Sequence, residues 1–254
     1  MELNKIYCMD CLNGLKQLED ECIDLTVTSP PYDNLRTYNG YNFDFENIAK
    51  ELYRVTKKGG VVVWIVGDST IKGSETGTSF KQALFFKEIG FNLHDTMIWN
   101  KQSCPFPDKN RYYQSFEYMF IFAKGKISTF NLIEDRKNKW YGTKIHGTLR
   151  QNDGSLKKPT GIKKERKIKE YGVRFNVWEV SPERNNKTTH PAVFPEQLAY
   201  DHIISWSNEN DIVMDIFMGS GTTAKMCKIT NRNYIGFEIS QEYCDIAEGR
   251  LKNI

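Results

Sequence analysis

The chain has 254 residues, 39% hydrophobic and 26% charged, with a net charge of +3 and 6 cysteines, a size and composition that suit one large α/β domain or a core domain with an insertion. No run approaches the roughly 18 apolar residues of a membrane helix, and the opening Met1-Glu2-Leu3-Asn4-Lys5 carries no signal-peptide pattern. A chain this long needs no disulfide staples, so a membrane span and a secreted disulfide scaffold are set aside and a reducing cytoplasm is the expected setting.

In chain order, residues 5–9 predict a short strand and residues 12–18 a helix. Cys8 and Cys11 form a Cys-x-x-Cys pair. A zinc site wants a second pair or a Cys/His partner at similar spacing, which the sequence lacks, so both are read as small buried residues at a strand end, with no metal. Residues 23–27 predict a strand that Thr28-Ser29-Pro30-Pro31-Tyr32 stops. Two adjacent prolines fix two φ angles and remove two backbone donors, so the strand cannot continue and the backbone stiffens. The polar, aromatic loop DNLRTYNGYNF follows and holds Arg36. Residues 45–56 predict a helix with Ile48, Leu52 and Val55 on one face, ended by Gly59-Gly60. VVVWIVGD reads as a strand buried on both faces. A helix over 80–89 and strands over 95–99 and 116–122 complete the βαβ rhythm of a parallel-rich sheet covered by helices.

From Lys124 to Lys187 the rhythm is lost, and 17 Lys and Arg stand against 7 Asp and Glu, leaving about −7 for the rest of the chain. Such a concentrated basic block reads as a phosphate-facing surface, with Lys157, Lys158, Lys163, Lys164, Arg166 and Lys167 as candidate contacts to nucleic acid. The rhythm then resumes with a helix over 194–206, a strand over 212–216, a helix over 222–229, a strand over 234–237 and a helix over 241–252. The chain thus divides into 1–123, a basic 124–187 and 188–254.

The final segment holds a second constellation, VMDIFMGSGTTAKMCKITNRNYIGFEIS. Gly219, Gly221 and Ala224 satisfy G-x-G-x-x-G/A, and Glu238 lies 19 residues beyond Gly219, near the ~20 expected of a carboxylate that accepts ribose hydroxyls. The unit reads as a nucleoside site. A nicotinamide dinucleotide would need a second mononucleotide half, for which only 16 residues follow Glu238. A dinucleotide-dependent oxidoreductase is therefore the remote alternative. The hydroxyls of Ser220, Thr222 and Thr223 offer donors suited to the tail of a methionine-derived cofactor.

These segments together resemble the amino-methylating DNA methyltransferases that use S-adenosylmethionine. TSPPY looks like their catalytic motif, with Ser29, Pro30, Pro31 and Tyr32. DIFMGSGTT looks like their cofactor loop, from Asp215 and Phe217 to Thr223, and GFEIS like their ribose-binding end at Glu238. HPAVFPEQL, which includes Phe194, is similar to the segment beside the methionine moiety, and YCMDCLNGLKQL, with Asp10 and Cys11, to the segment that contacts adenine. Catalytic motif first and cofactor loop last is the β arrangement, with target recognition between them. The resemblance implies a Rossmann-like, largely parallel seven-stranded sheet with an antiparallel edge hairpin and helices on both faces. It implies methyl transfer to an exocyclic amine of a flipped base in double-stranded DNA within a restriction-modification setting. A homodimer and a cognate restriction endonuclease are left open as partners. In the family Ser-Pro-Pro-Tyr goes chiefly with cytosine N4, the favoured base, and N6 of adenine is the alternative. Carbon methylation would need a Pro-Cys nucleophile, and here only Cys104-Pro105 occurs, in the opposite order.

Overall fold

The structure, a computed structural model, describes residues 1–31, 43–103, 109–144, 148–157, 167–182, 195–252 and 254. Tyr32, Arg36, Lys158, Lys163, Lys164, Arg166 and Phe194 lie outside the described residues. The elements begin β1 (Lys5–Cys8), α1 (Cys11–Leu15), β2 (Ile23–Thr28), α2 (Phe45–Val55), β3 (Thr56–Val66), β4 (Thr70–Ile71), β5 (Ser74–Glu75), α3 (Thr78–Glu88), β6 (Asn92–Asn100) and β7 (Phe116–Ala123). They continue β8 (Arg136–Lys137), β9 (Leu149–Arg150), β10 (Leu156–Lys157), β11 (Tyr171–Gly172), β12 (Val177–Glu179), α4 (Glu196–Trp206), β13 (Ile212–Asp215), α5 (Thr222–Ile229), β14 (Asn233–Glu238) and α6 (Gln241–Leu251). Two compact units result, Met1–Asn131 with Asn176–Ile254, and Leu132–Phe175.

In the large unit, eight strands form one sheet in the order β1-β14-β13-β2-β3-β7-β6-β12, and β7 alone runs against the rest. The sequence led to seven strands with an antiparallel hairpin at the edge. The eighth strand, β12, pairs in parallel with β6 and takes that edge, so the antiparallel strand is interior. A short strand laid there covers backbone groups that an open edge would expose.

Alternation along β3 explains its unbroken apolar run. Val61, Val63 and Ile65 join a core that includes Leu198 and Ile203 of α4, Ala224 of α5 and Ala247 of α6. Val62, Trp64 and Val66 join the opposite core with Leu15 of α1, Leu52 of α2 and Phe86 of α3. Both faces are therefore buried, as a parallel sheet clad in helices requires.

Helix α2 begins where the Asp44 carboxylate accepts the Asn47 N–H, and buries Ile48, Ala49, Leu52 and Val55. It ends at Val55, before Gly59-Gly60, which the sequence pattern had made its stop. Thr56 is already extended, and both glycines lie inside β3, where the register against β2 shifts. A Cβ on Gly60 would stand 2.9 Å from the Asp24 carbonyl oxygen, so the glycines permit close strand contact instead of capping a helix.

The small unit is built from short antiparallel pairs, β8 with β11 and β9 with β10. Gly154, at φ 82, and the Ser155 N–H bond to Asp153 close the second pair. The residues bordering this unit are fixed in the large one. Asn131 bonds to the carbonyls of Ile204, Ser205 and Ser207, while Asn176 accepts the Ile98 N–H and donates to Asp95.

Candidate active site

Strand β2 leads through α2 to β3 on one side, whereas its neighbour β13 leads through α5 to β14 on the other. Loops that part in this way open a crevice at the carboxyl ends of the strands, the usual ligand position in an open α/β sheet. Ser29, Pro30 and Pro31 leave β2 at that end, and the turn from Ile216 to Gly221 leaves β13 beside them. Pro30 is buried, and Ser29 and Pro31 are half-buried.

Asp215 joins the two loops. Its carboxylate accepts the Thr28 hydroxyl at 2.7 Å, the Thr223 hydroxyl at 2.7 Å and the Phe217 N–H at 3.0 Å. Burial pushes the Asp215 carboxyl up to about 6, with the three donors pulling the other way. The residue before Ser29 and the first turn of α5 thus share one buried acid. Phe217 is half-buried, with its ring edge-on to Phe43 at 5.7 Å.

The hydroxyls expected at a cofactor tail have protein partners. Thr223 donates to Asp215, and Ser220 and Thr222 accept from Nη1 of Arg250 at 2.9 and 3.4 Å. The same nitrogen donates to the Ser220 carbonyl at 2.7 Å, and Nη2 donates to Glu196 at 2.8 Å. Glu196 also pairs with Lys225 of α5. One guanidinium on α6 therefore holds the glycine turn to the start of α4. Gly221 opens α5 at φ +83, and a Cβ there would lie 2.8 Å from the Cβ of Ala247. That position is closed to side chains by α6.

Glu238 ends β14 half-buried, accepting the Gly219 N–H at 2.8 Å and the Ser240 N–H at 2.9 Å. Among the described residues it has no Lys or Arg partner. A carboxylate has about four acceptor positions, so capacity remains for a diol. Parallel pairing sets Cys8 against Glu238, and the Met9 N–H bonds to the Glu238 carbonyl, bringing Asp10 to the same end of the sheet. Asp10 caps α1 by accepting the Asn13 N–H at 3.0 Å. Cys11 is buried as expected, but Cys8 is exposed, because the last residue of β1 is on the sheet edge. Among the described residues no group of three His, Cys, Asp or Glu side chains is placed to hold a metal.

Thr28, Glu196 and Arg250 were missed as site residues. Thr28 and Glu196 sit inside quoted motifs, but Arg250 is on the last helix with no local signal. Asp68, at the end of β3, was also missed. It accepts the Ser79 N–H at 2.9 Å and the Thr76 hydroxyl at 3.2 Å, doing for α3 what its N-cap Gly77 cannot. Lys157 and Lys167 are exposed in the small unit.

A family model described as DNA methylase matches residues 23–249. The chain belongs to that family. It is 64% identical over 247 residues to the orphan methyltransferase M.BamHII of Bacillus amyloliquefaciens, covering 94% of this chain and 92% of the relative. It is 30% identical over 256 residues to the type II methyltransferase M.BglII of Bacillus subtilis, covering 96% and 68%. Among solved structures, the cytosine-N4-specific PvuII DNA methyltransferase shares the fold with a TM-score of 0.71 at 21% identity, over 97% of this chain and 85% of that one. The complex of M1.HpyAVI with S-adenosylmethionine gives 0.64 at 26% identity, over 97% and 98%. The protein is an S-adenosylmethionine-dependent DNA amino-methyltransferase. The residues present fit that cofactor: a glycine turn at the switch point and a carboxylate with unused acceptor positions at the neighbouring strand end. No described helix is long and apolar enough to cross a membrane.

Proposed function

We propose that this chain methylates the exocyclic N4 amine of cytosine within a specific sequence of double-stranded DNA, by direct transfer to a flipped base. The observation that supports it most is the Ser-Pro-Pro turn at the end of β2, tied through Thr28 and Asp215 to the glycine turn. When bound, the cofactor supplies the electrophilic methyl group.

The chain's residues must make a poor nucleophile competent, because the amine lone pair is delocalised into the base. Acceptors against its N–H bonds favour a pyramidal nitrogen and stabilise the positive charge that grows during transfer. In this reading the Ser29 side-chain oxygen and the Pro30 carbonyl are those acceptors, and the prolines hold the carbonyl in place. Tyr32 gives the flipped base a stacking face, offsetting part of the few kcal/mol needed to extrude it. Glu238 accepts ribose hydroxyls, Asp10 and Cys11 line the adenine side, and Phe194 borders the methionine moiety. Residues 1–123 then form the catalytic half and 188–254 the cofactor half. The basic region 124–187 selects the target, with Arg36 and the lysines named above at phosphates. Cytosine is favoured by the Ser of the motif alone, since the same acceptors serve adenine N6.

The test is expression in a host free of DNA methylation, followed by nucleoside chromatography and sequencing for modified bases. N4-methylcytosine in one sequence context is the expected product. N6-methyladenine alone would overturn the base assignment, and unmodified DNA from active, folded protein would overturn the reading.

A further inference from the structure

The small unit carries a turn that is rigid in its backbone yet presents two large rings to solvent. Trp140 is 65% exposed and Tyr141 61%, whereas Trp64, Trp99, Trp178 and Trp206 are all at 6% or less. The turn is not loose. Tyr141 N–H bonds to the Asn138 carbonyl, the Thr143 N–H and hydroxyl to that of Trp140, and the Gly142 N–H to that of Ile168. Asn138 donates from its side chain to the Lys169 carbonyl at 2.9 Å. Two adjacent exposed rings on a hydrogen-bonded turn form a contiguous apolar patch, the kind of surface that marks a contact site.

The charge beside them says what kind of partner fits. Lys144, next after the turn, is bridged directly across from Lys167. Both are exposed, and neither forms an ion pair among the described residues. Like charges set opposite each other destabilise a strand pair, and an anion between them removes that penalty. Lys137 and Lys139 are also exposed, with the Lys139 ammonium 5.7 Å from the Trp140 ring centre. A partner offering flat faces and regular negative charge meets both requirements.

We infer that the Trp140–Tyr141 turn stacks on bases of the bound DNA while Lys144 and Lys167 straddle an adjoining phosphate. This rests on the DNA methyltransferase reading and adds to it a base-contacting element. Stacking on aromatic side chains tolerates any base, so the turn contributes affinity and grip on distorted DNA.

Because Trp140 is the one exposed tryptophan, its emission reports the contact. Duplex DNA should quench the fluorescence of the full chain, and Trp140→Phe should abolish the quench. The double variant Trp140→Ala/Tyr141→Ala should weaken DNA binding about 5- to 100-fold, with cofactor binding and thermal midpoint retained. Lys144→Ala/Lys167→Ala should flatten the log–log salt slope by about 1, the single phosphate the pair straddles. DNA binding with unaltered Trp140 emission and undiminished affinity in the aromatic variant would overturn the inference. So would conversion of an oligomer to a monomer with DNA affinity intact, which would make the face a contact between copies. Failure of the wild-type chain to bind any DNA, with cofactor bound, would overturn the underlying reading itself.

Discussion

Thr28 donates a 2.7 Å hydrogen bond to Asp215, a residue 187 positions away in the chain and 1% exposed. The bond spans the parting of loops between β2 and β13, so the turn holding the candidate acceptors and the glycine turn proposed for the cofactor share one buried carboxyl. Position in one half of the site is thereby set by the other.

Asp215 should make stability depend on pH. Its folded pKa, about 6, stands above the ordinary 3.8. The folded state therefore keeps a proton that the unfolded state releases between those values. The associated stability is fully present below about 3.8 and lost as pH rises through about 6, a loss of roughly 3 kcal/mol. Asp215→Asn stays neutral, so its unfolding free energy should gain on the wild type between pH 4 and 7. Urea unfolding at both pH values measures this; parallel curves would remove the buried acid from the account.

Gly221→Ala should destabilise by roughly 1–3 kcal/mol, since it combines positive φ with a methyl group 2.8 Å from Ala247. Adding Ala247→Gly should recover part of the loss by opening the space. A double variant no more stable than Gly221→Ala in urea would place the fault in backbone strain alone.

Arg250→Lys keeps the charge but loses the fork that reaches Ser220 and Glu196 together. Cofactor affinity should fall about tenfold, as one charged hydrogen bond is lost, with turnover at saturating cofactor near the wild-type value. Isothermal titration beside single-turnover kinetics separates the two. A fall in turnover with unchanged affinity would mean that the clamp serves the catalytic turn instead.

Ser29→Ala removes an acceptor whose value grows with charge on the amine. Single-turnover methyl transfer at saturating cofactor should fall about 100-fold, while cofactor and DNA affinity hold. Full activity would take Ser29 out of the reaction.

The repeating elements were legible because their cause is local. β3 shows its double burial in VVVWIV, and α2 shows its inner face in Ile48, Leu52 and Val55. The glycines were legible as positions but not as reasons. Gly59-Gly60 has the composition of a helix stop, and only the pairing of β2 with β3 shows the need for contact without a Cβ. Gly221 likewise needed the position of Ala247. Arg250 could not be found, because its partners Ser220 and Glu196 come from the glycine turn and the start of α4, and sequence spacing carries no trace of that meeting. The extra edge strand β12 was missed for a different reason: three residues, Val177 to Glu179, are too few to show a period.

The asparagines bordering the small unit also bear on how such a protein can change over generations. Asn131 is held by carbonyls at the end of α4, and Asn176 by Asp95 and Ile98 of β6. Among the described residues, the strands between them pair only with one another, and every strand pair of the large sheet lies outside that interval. Insertions, losses or wholesale exchange of the intervening chain can therefore accumulate without disturbing a rung of the sheet ladder. The crevice and its buried acid can be inherited intact while the insert diverges at its own pace.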